Sequence, residues 1–271
     1  MSNKSLRNIA IIAHVDHGKT TLVDKLLSQS GTLDRKDADS ERLMDSNDQE
    51  KERGITILAK NTAINWNDYR INIVDTPGHA DFGGEVERVL SMVDSVLLLV
   101  DAVDGPMPQT RFVTSKAFEQ GLRPIVVINK VDRPGARPDW VMDQVFDLFD
   151  NLGATDEQLD FPVIFTSAIN GIAGNDHLDM AEDMTPLYEM IVEEVPAPKV
   201  DENGPFQMQI SALAYDSYVG VIGVGRITRG LLKPGQQVII KSANNEQRKG
   251  KVLNIKGYLG LEQIETQLAG A

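Results

Sequence analysis

Ala13-His14-Val15-Asp16-His17-Gly18-Lys19-Thr20 decides how the rest of this 271-residue chain is read. The octapeptide follows the apolar run Ile9 to Ala13 and opens into the helix-like stretch Thr20 to Leu27. In a strand–loop–helix of this kind, backbone N–H groups and a helix N-terminus can surround phosphate oxygens. Lys19 then reaches the outer phosphates, Thr20 offers its hydroxyl to Mg²⁺, and Asp16, His17, Gly18 and Thr21 line the loop. Ala13 stands where the generic pattern has its first glycine, so the backbone there is expected to avoid positive φ. Taken alone, Gly-Lys-Thr is a weak signal that an ordinary helix start would also produce.

Working outward, short apolar runs alternate with helix-like stretches as far as Ser167. The runs are Ile9 to Ala13, Ile71 to Val74, Val96 to Val100, Ile125 to Ile128 and Val163 to Phe165. They are short and mostly Val, Ile and Leu, as parallel strands buried on both faces require. Between and after them lie Thr20 to Leu27, Glu85 to Met92, Gln109 to Gln120, Trp140 to Leu152 and Pro186 to Val195. This rhythm predicts an α/β fold, a mostly parallel doubly wound sheet with its ligand outside the carboxyl ends of the strands.

Three further motifs stand where that topology would place a ligand. Asp75-Thr76-Pro77-Gly78 ends one run. There Asp75 can hold a water on the magnesium and Gly78 can present its N–H to a terminal phosphate. Asn129-Lys130-Val131-Asp132 ends another. Guanine offers two adjacent donors, N1–H and the exocyclic amine, which the Asp132 carboxylate can accept together, whereas adenine offers neither. Lys130 can lay its stem along the base, and Asn129 can tie this loop to the phosphate loop. Ser167-Ala168 would supply a backbone N–H to the guanine O6. Each motif is weak by itself; four in fixed order at predicted strand ends point to a guanine-nucleotide site. Mg²⁺, Lys19 and the loop amides would stabilise charge on the γ-phosphoryl group, so hydrolysis of GTP to GDP is the expected activity.

Composition narrows the remaining classes. With no cysteine, disulfide frameworks, cysteine-ligated metals and thiol nucleophiles are excluded. No run reaches the ~18 apolar residues of a membrane span, and Met1 to Leu6 is too polar for a secretory signal. A cytoplasmic, monomeric protein without membrane or DNA partners is expected. The chain carries a net charge of −13. Residues 201–271 hold 8 Lys+Arg against 6 Asp+Glu, net +2, leaving 19 against 34, net −15, for residues 1–200. So acidic a first portion argues against wrapping nucleic acid over a broad surface and leaves only local contact with RNA.

The breaker-rich segment Pro196 to Pro205 marks a boundary: residues 1–196 form the nucleotide-binding domain, 197–204 a linker and 205–271 a second domain. Phe206 to Leu213, Val219 to Thr228, Val238 to Lys241 and Lys251 to Lys256 are β-like. Turn signals at Asp216-Ser217, Lys233-Pro234-Gly235 and Asn244-Asn245 separate them, predicting a small antiparallel β-barrel, closed or incomplete, at the short end of the length closure needs. Gly31 to Gly54 is long, charged and weakly periodic. Composition alone favours disorder there, and its position between two phosphate motifs favours a functional loop.

Ala13 to Thr20, Arg53-Gly54-Ile55-Thr56-Ile57 and Asp75 to His79 resemble the corresponding motifs of the translational GTPases, relatives of elongation factors Tu and G. The stretches Asp75 to Val113 and Asn129 to Phe149 look most like the BipA (TypA) branch, and the shortness of the segment after Ser167 separates the chain from elongation factor G. The resemblance implies that Thr56 binds Mg²⁺ only beside a γ-phosphate, which makes Gly31 to Gly54 a loop ordered by GTP. It implies that His79 is the catalytic histidine that positions the attacking water, fenced by Val15 and Ile55. By composition alone His79 is a solvated loop residue, and Val15 and Ile55 are ordinary packing. Asp16 resembles a residue holding a monovalent cation near the phosphates, and reads equally as a loop acid bonding its own backbone. Beyond Arg53, no arginine suggests itself as an in-chain finger, so slow turnover stimulated by another molecule is expected. Gly225 to Gly230 and Lys233-Pro234-Gly235 resemble the family's second domain, and the chain resembles an amino-terminal portion of such a factor. The family implies the ribosome, its RNA and proteins, as partner. A nucleotide-gated binding module with negligible turnover, or a GTPase acting outside translation, are the alternatives.

Overall fold

A computed structural model describes residues 5–32, 60–76, 83–216, 219–260 and 262–271. The chain divides into two compact units, Met1–Pro198 and Lys199–Ala271, and each is taken by itself.

The first unit is built on a seven-stranded sheet. Its strands are β1 (Leu6–Ala13), β2 (Lys60–Trp66), β3 (Tyr69–Asp75), β4 (Ser95–Asp101), β5 (Pro124–Asn129), β6 (Val163–Ser167) and β7 (Ile172–Gly174), in spatial order β2-β3-β1-β4-β5-β6-β7. The five inner strands run parallel, while β2 and β7 are antiparallel edges. Six helices accompany them among the described residues: α1 (Lys19–Gln29), α2 (Gly83–Leu90), α3 (Pro108–Glu119), α4 (Pro138–Asn151), α5 (Asp156–Leu159) and α6 (Thr185–Glu194).

Alternation along the strands explains the layering. Ile9, Ile11, Leu97, Leu99, Ile125 and Val127 point to one face, where Leu22, Leu26 and Leu27 of α1 and Leu187, Tyr188 and Ile191 of α6 cover them. Ala10, Ile12, Val96, Leu98, Val100, Val126 and Ile128 point to the other, under α2, α3 and α4. All of these side chains are buried, which is why the sequence shows continuous apolar runs rather than half-polar ones. The chain leaves β1 for β3 on one side and then crosses to β4 on the other, so the topological switch point lies at the carboxyl end of β1, where the opening octapeptide sits.

In the second unit the four described strand pairs are antiparallel, and an isolated parallel bridge joins Asp201 to Arg229. β8 (Gln207–Asp216) pairs with β9 (Gly220–Arg229), β10 (Leu231–Leu232) with β15 (Ala269–Gly270), β11 (Gln237–Lys241) with β12 (Gln247–Lys251), and β13 (Lys256–Leu259) with β14 (Glu262–Glu265). Among the described residues no ladder closes these four pairs into one sheet. Two sequence expectations are corrected here. Lys251 to Lys256 is not a strand: only its ends belong to β12 and β13, because Val252 is drawn across the Lys233 to Gly235 turn, accepting from Gly235 N at 2.8 Å and donating to Gln236 O at 2.9 Å. Asp201 and Gly204, read as linker, are joined to the second unit. Asp201 O accepts from Gly230 N at 2.8 Å, and the Asp201 carboxylate meets Arg229 Nη2 at 3.2 Å.

Candidate nucleotide-binding site

The parallel register gathers the motif residues at one edge of the sheet. Ala13 lies beside Leu99, Asp75 beside Ile11, Asp101 beside Asn129, and Asn129 beside Thr166. The ends of β1, β3, β4, β5 and β6 therefore open on a common rim.

Ala13 completes β1, and the left-handed turns of the following loop fall instead on Asp16 (φ 65°) and Gly18 (φ 95°). Gly18 then caps α1, whose first turn closes through Leu22 N–H to Gly18 O at 2.9 Å. A Cβ at Gly18 would come 2.5 Å from Asn129 Nδ2, so conformation and space both demand glycine there. Asp16 and Thr21 are exposed, whereas His17 is buried with its Nδ1 facing Leu99 O at 3.4 Å. Burial pushes the His17 imidazole below the ordinary range, outweighing the Leu99 carbonyl that favours its protonated form.

Lys19 Nζ stands 2.7 Å from Asp75 Oδ1 and also bonds Thr76 O. Thr76 Oγ1 in turn donates to Ile11 O at 2.6 Å, fixing the end of β3 to β1. The buried Asp75 carboxylate is thus aimed at the first residue of α1, next to the half-buried Thr20. A hydroxyl and a carboxylate supply the hard oxygen donors that Mg²⁺ prefers, so the residues fit the ion.

The loop after β5 is cross-linked to the loop after β1 by two neighbouring residues. Asn129 Nδ2 donates to His17 O at 2.9 Å, while Asn129 Oδ1 accepts from Thr166 Oγ1 at 3.0 Å and from Ala168 N at 2.9 Å. Lys130, itself at φ 65°, bonds Asp16 O and lies 2.7 Å from Asp101 Oδ2. The Ala168 N–H expected at guanine O6 is donated to Asn129 here, so a base would have to share that donor. Ser167 is buried and accepts from Asn170 Nδ2 at 2.9 Å through its hydroxyl. Asp132 is exposed in the turn after β5, on the rim where a base could meet it. Arg53, Ile55, Thr56, Gly78 and His79, with most of the Gly31 to Gly54 loop, lie outside the described residues.

Two contributors are not evident from the sequence reading. Thr76 reads there only as part of a turn. Asp101 closes the apolar run Ser95-Val-Leu-Leu-Leu-Val with the same strand-end carboxylate pattern as Asp75, a legible signal.

A parallel sheet whose switch point carries a glycine-capped helix, a lysine–carboxylate pair and a further strand-end loop tied back to that cap defines a P-loop nucleotide-binding domain. The family model for the elongation factor Tu GTP binding domain matches residues 4–197. The chain belongs to that family of GTPase domains. It is 76% identical over 268 residues to the large ribosomal subunit assembly factor BipA of Escherichia coli K12, covering 99% of this chain and 44% of that protein. To the Haemophilus influenzae factor of the same name it is 73% identical over 270 residues, with the same shares of each chain. The chain therefore spans less than half the length of these curated relatives. Among solved structures, a Thermus thermophilus protein superposes with TM-score 0.72 at 20% identity, covering 99% of this chain and 51% of the other. The bacterial selenocysteine-specific elongation factor EF-Sec gives 0.71 at 21% identity, covering 98% and 40%. Both structural likenesses speak to the fold alone. Among the described residues no helix is long and apolar enough to cross a membrane.

Proposed function

We propose that the first unit binds GTP and GDP with Mg²⁺ and hydrolyses GTP as a molecular switch acting on the ribosome. The observation that carries this reading is the double tie from Asn129 and Lys130 to the loop backbone at His17 and Asp16, which holds a base-recognition loop at fixed distance from a phosphate loop. Lys19 and the loop amides bind the phosphates, Asp132 accepts the guanine N1–H and amine, and Ser167-Ala168 backs the base edge. Thr20, Thr56 and Asp75 would hold the magnesium, which when bound neutralises charge on the phosphoryl oxygens. His79 orients the attacking water and Gly78 faces the terminal phosphate, the roles implied by the family resemblance. The relatives named for assembly of the large ribosomal subunit support the ribosome, its RNA and proteins, as the partner of the full-length protein, which by this reading works in the cytoplasm.

Single-turnover GTP hydrolysis with and without ribosomes tests this. Stimulation of the full-length protein that disappears in His79→Ala is expected. Equal slow rates under all conditions would favour a nucleotide-gated binding module instead.

A further inference from the structure

Among the described residues Asp101 is the most deeply buried carboxylate of the first unit, at 0% exposure, and neither the motifs nor the family resemblance gives it a task. A buried charge is costly unless paired and hydrogen-bonded, and this one is. Its two oxygens do different things. Oδ1 accepts from Val103 N at 2.8 Å and Asp104 N at 3.4 Å, shaping the turn that leaves β4. Oδ2 faces Lys130 Nζ at 2.7 Å and Arg133 Nη1 at 3.5 Å, both from the loop that follows β5. The Lys130 ammonium is thereby clamped between Asp101 and the carbonyl of Asp16, and its backbone is left-handed at φ 65°. A residue with a Cβ adopts that conformation only where its surroundings insist on it.

We infer that Asp101 is a positioning residue for nucleotide retention: its Oδ2 grips Lys130 so that the lysine stem lies flat for the base and stays fastened to the phosphate loop. This rests on the nucleotide-site reading above and adds to it the residue that sets the base platform. Burial alone would raise the Asp101 carboxyl, but the hydrogen bonds from Lys130 and Val103 hold it below the usual carboxylate range, so the grip is ionic at neutral pH. Because the contact is on the base side, it acts alike on GDP and GTP and leaves the choice of base to Asp132.

Asp101→Asn separates the two oxygens. The amide keeps an acceptor for Val103 and Asp104 and turns an NH₂ toward the Lys130 ammonium, so the turn survives and the grip fails. Stopped-flow dissociation of fluorescent GDP and GTP from this variant is expected to speed up by about tenfold to hundredfold, the range for losing a charge-assisted hydrogen bond, by the same factor for both nucleotides. Preference for guanosine over xanthosine nucleotides is expected to be unchanged. In a Lys130→Met background, adding Asp101→Asn is expected to alter the rate less than about twofold, since the nearer cation has gone and only the more distant Arg133 still faces Oδ2. A folded Asp101→Asn protein with the wild-type rate overturns the proposal, as does an equal acceleration in both backgrounds. Should the variant not fold, the wild-type complex decides: a slowly exchanging Lys130 ammonium resonance supports the grip, and its absence overturns it. Failure of the wild-type protein to hold guanine nucleotide at all would overturn the site reading together with this role, whereas wild-type binding with unaltered variant rates overturns this role alone.

Discussion

Asn129→Ala is the substitution that most directly strains the arrangement at the sheet edge. The side chain is 1% exposed and makes three hydrogen bonds, to His17 O, Thr166 Oγ1 and Ala168 N, at 2.9, 3.0 and 2.9 Å. Truncation leaves two backbone groups that cannot turn away, the His17 carbonyl and the Ala168 N–H, and one hydroxyl that can rotate. An orphaned buried group costs about 1–3 kcal/mol, so two of them cost about 2–6 kcal/mol. Set against a total domain stability of about 5–15 kcal/mol, the first unit would be left marginal. The two tryptophans, Trp66 and Trp140, both lie in the first unit, so urea unfolding followed by their fluorescence reports on that unit alone. Thr166→Val, which removes one of the three bonds, should cost about 1 kcal/mol in the same assay. A folded Asn129→Ala protein destabilised by less than about 1 kcal/mol would refute the claim that this carboxamide braces the two loops.

Gly18→Ala forces a Cβ into a left-handed residue and against Asn129 Nδ2; a loss of about 1–2 kcal/mol from conformation alone is expected, with weakened Mg-GTP binding by calorimetry, and normal binding would contradict the cap geometry. His17 is held neutral by burial, so its folded pKa is below its unfolded value near 6.5. Its contribution to stability is complete above that unfolded value and is lost as the pH falls from there through the depressed folded value. Denaturant midpoints measured from about pH 7.5 to about 5.5, a range spanning that unfolded value, should decline in the wild-type protein and decline less in His17→Gln; parallel declines would remove His17 from the explanation. Asp132→Asn should weaken GTP binding and shift preference toward xanthosine triphosphate in competition titrations, because the amide presents a donor to the altered base edge. Retained wild-type GTP affinity would place the carboxylate away from the base.

The inner sheet was legible because strands buried on both faces leave uninterrupted Val, Ile and Leu runs, and so were the longer helices between them, though not the four-residue α5. β2 was not, since Lys60-Asn-Thr-Ala-Ile-Asn-Trp66 is an edge strand that buries only Thr62, Ala63 and Ile64. A partly exposed antiparallel edge needs no apolar run, and nothing local distinguishes it from a loop. At the site, Lys19, Asp75 and Asn129 were readable from spacing because each ends a strand or begins a helix. The Ala168 N–H meets Asn129 Oδ1, a partner set by the register between β5 and β6 that no local pattern encodes. In the second unit the turns were readable and the strand limits were not. Long-range pairing of Gly235, Gln236 and Val252 ends β12 earlier than composition suggests.

Selectivity among purine nucleotides bears most directly on the whole account. Calorimetric titration of the protein with GDP, GTP, ADP and ATP in the presence of Mg²⁺ should give tight binding of the two guanine nucleotides, with discrimination against the adenine pair of about 10⁴ or more. Comparable affinity for ATP and GTP, or binding of neither, would contradict it.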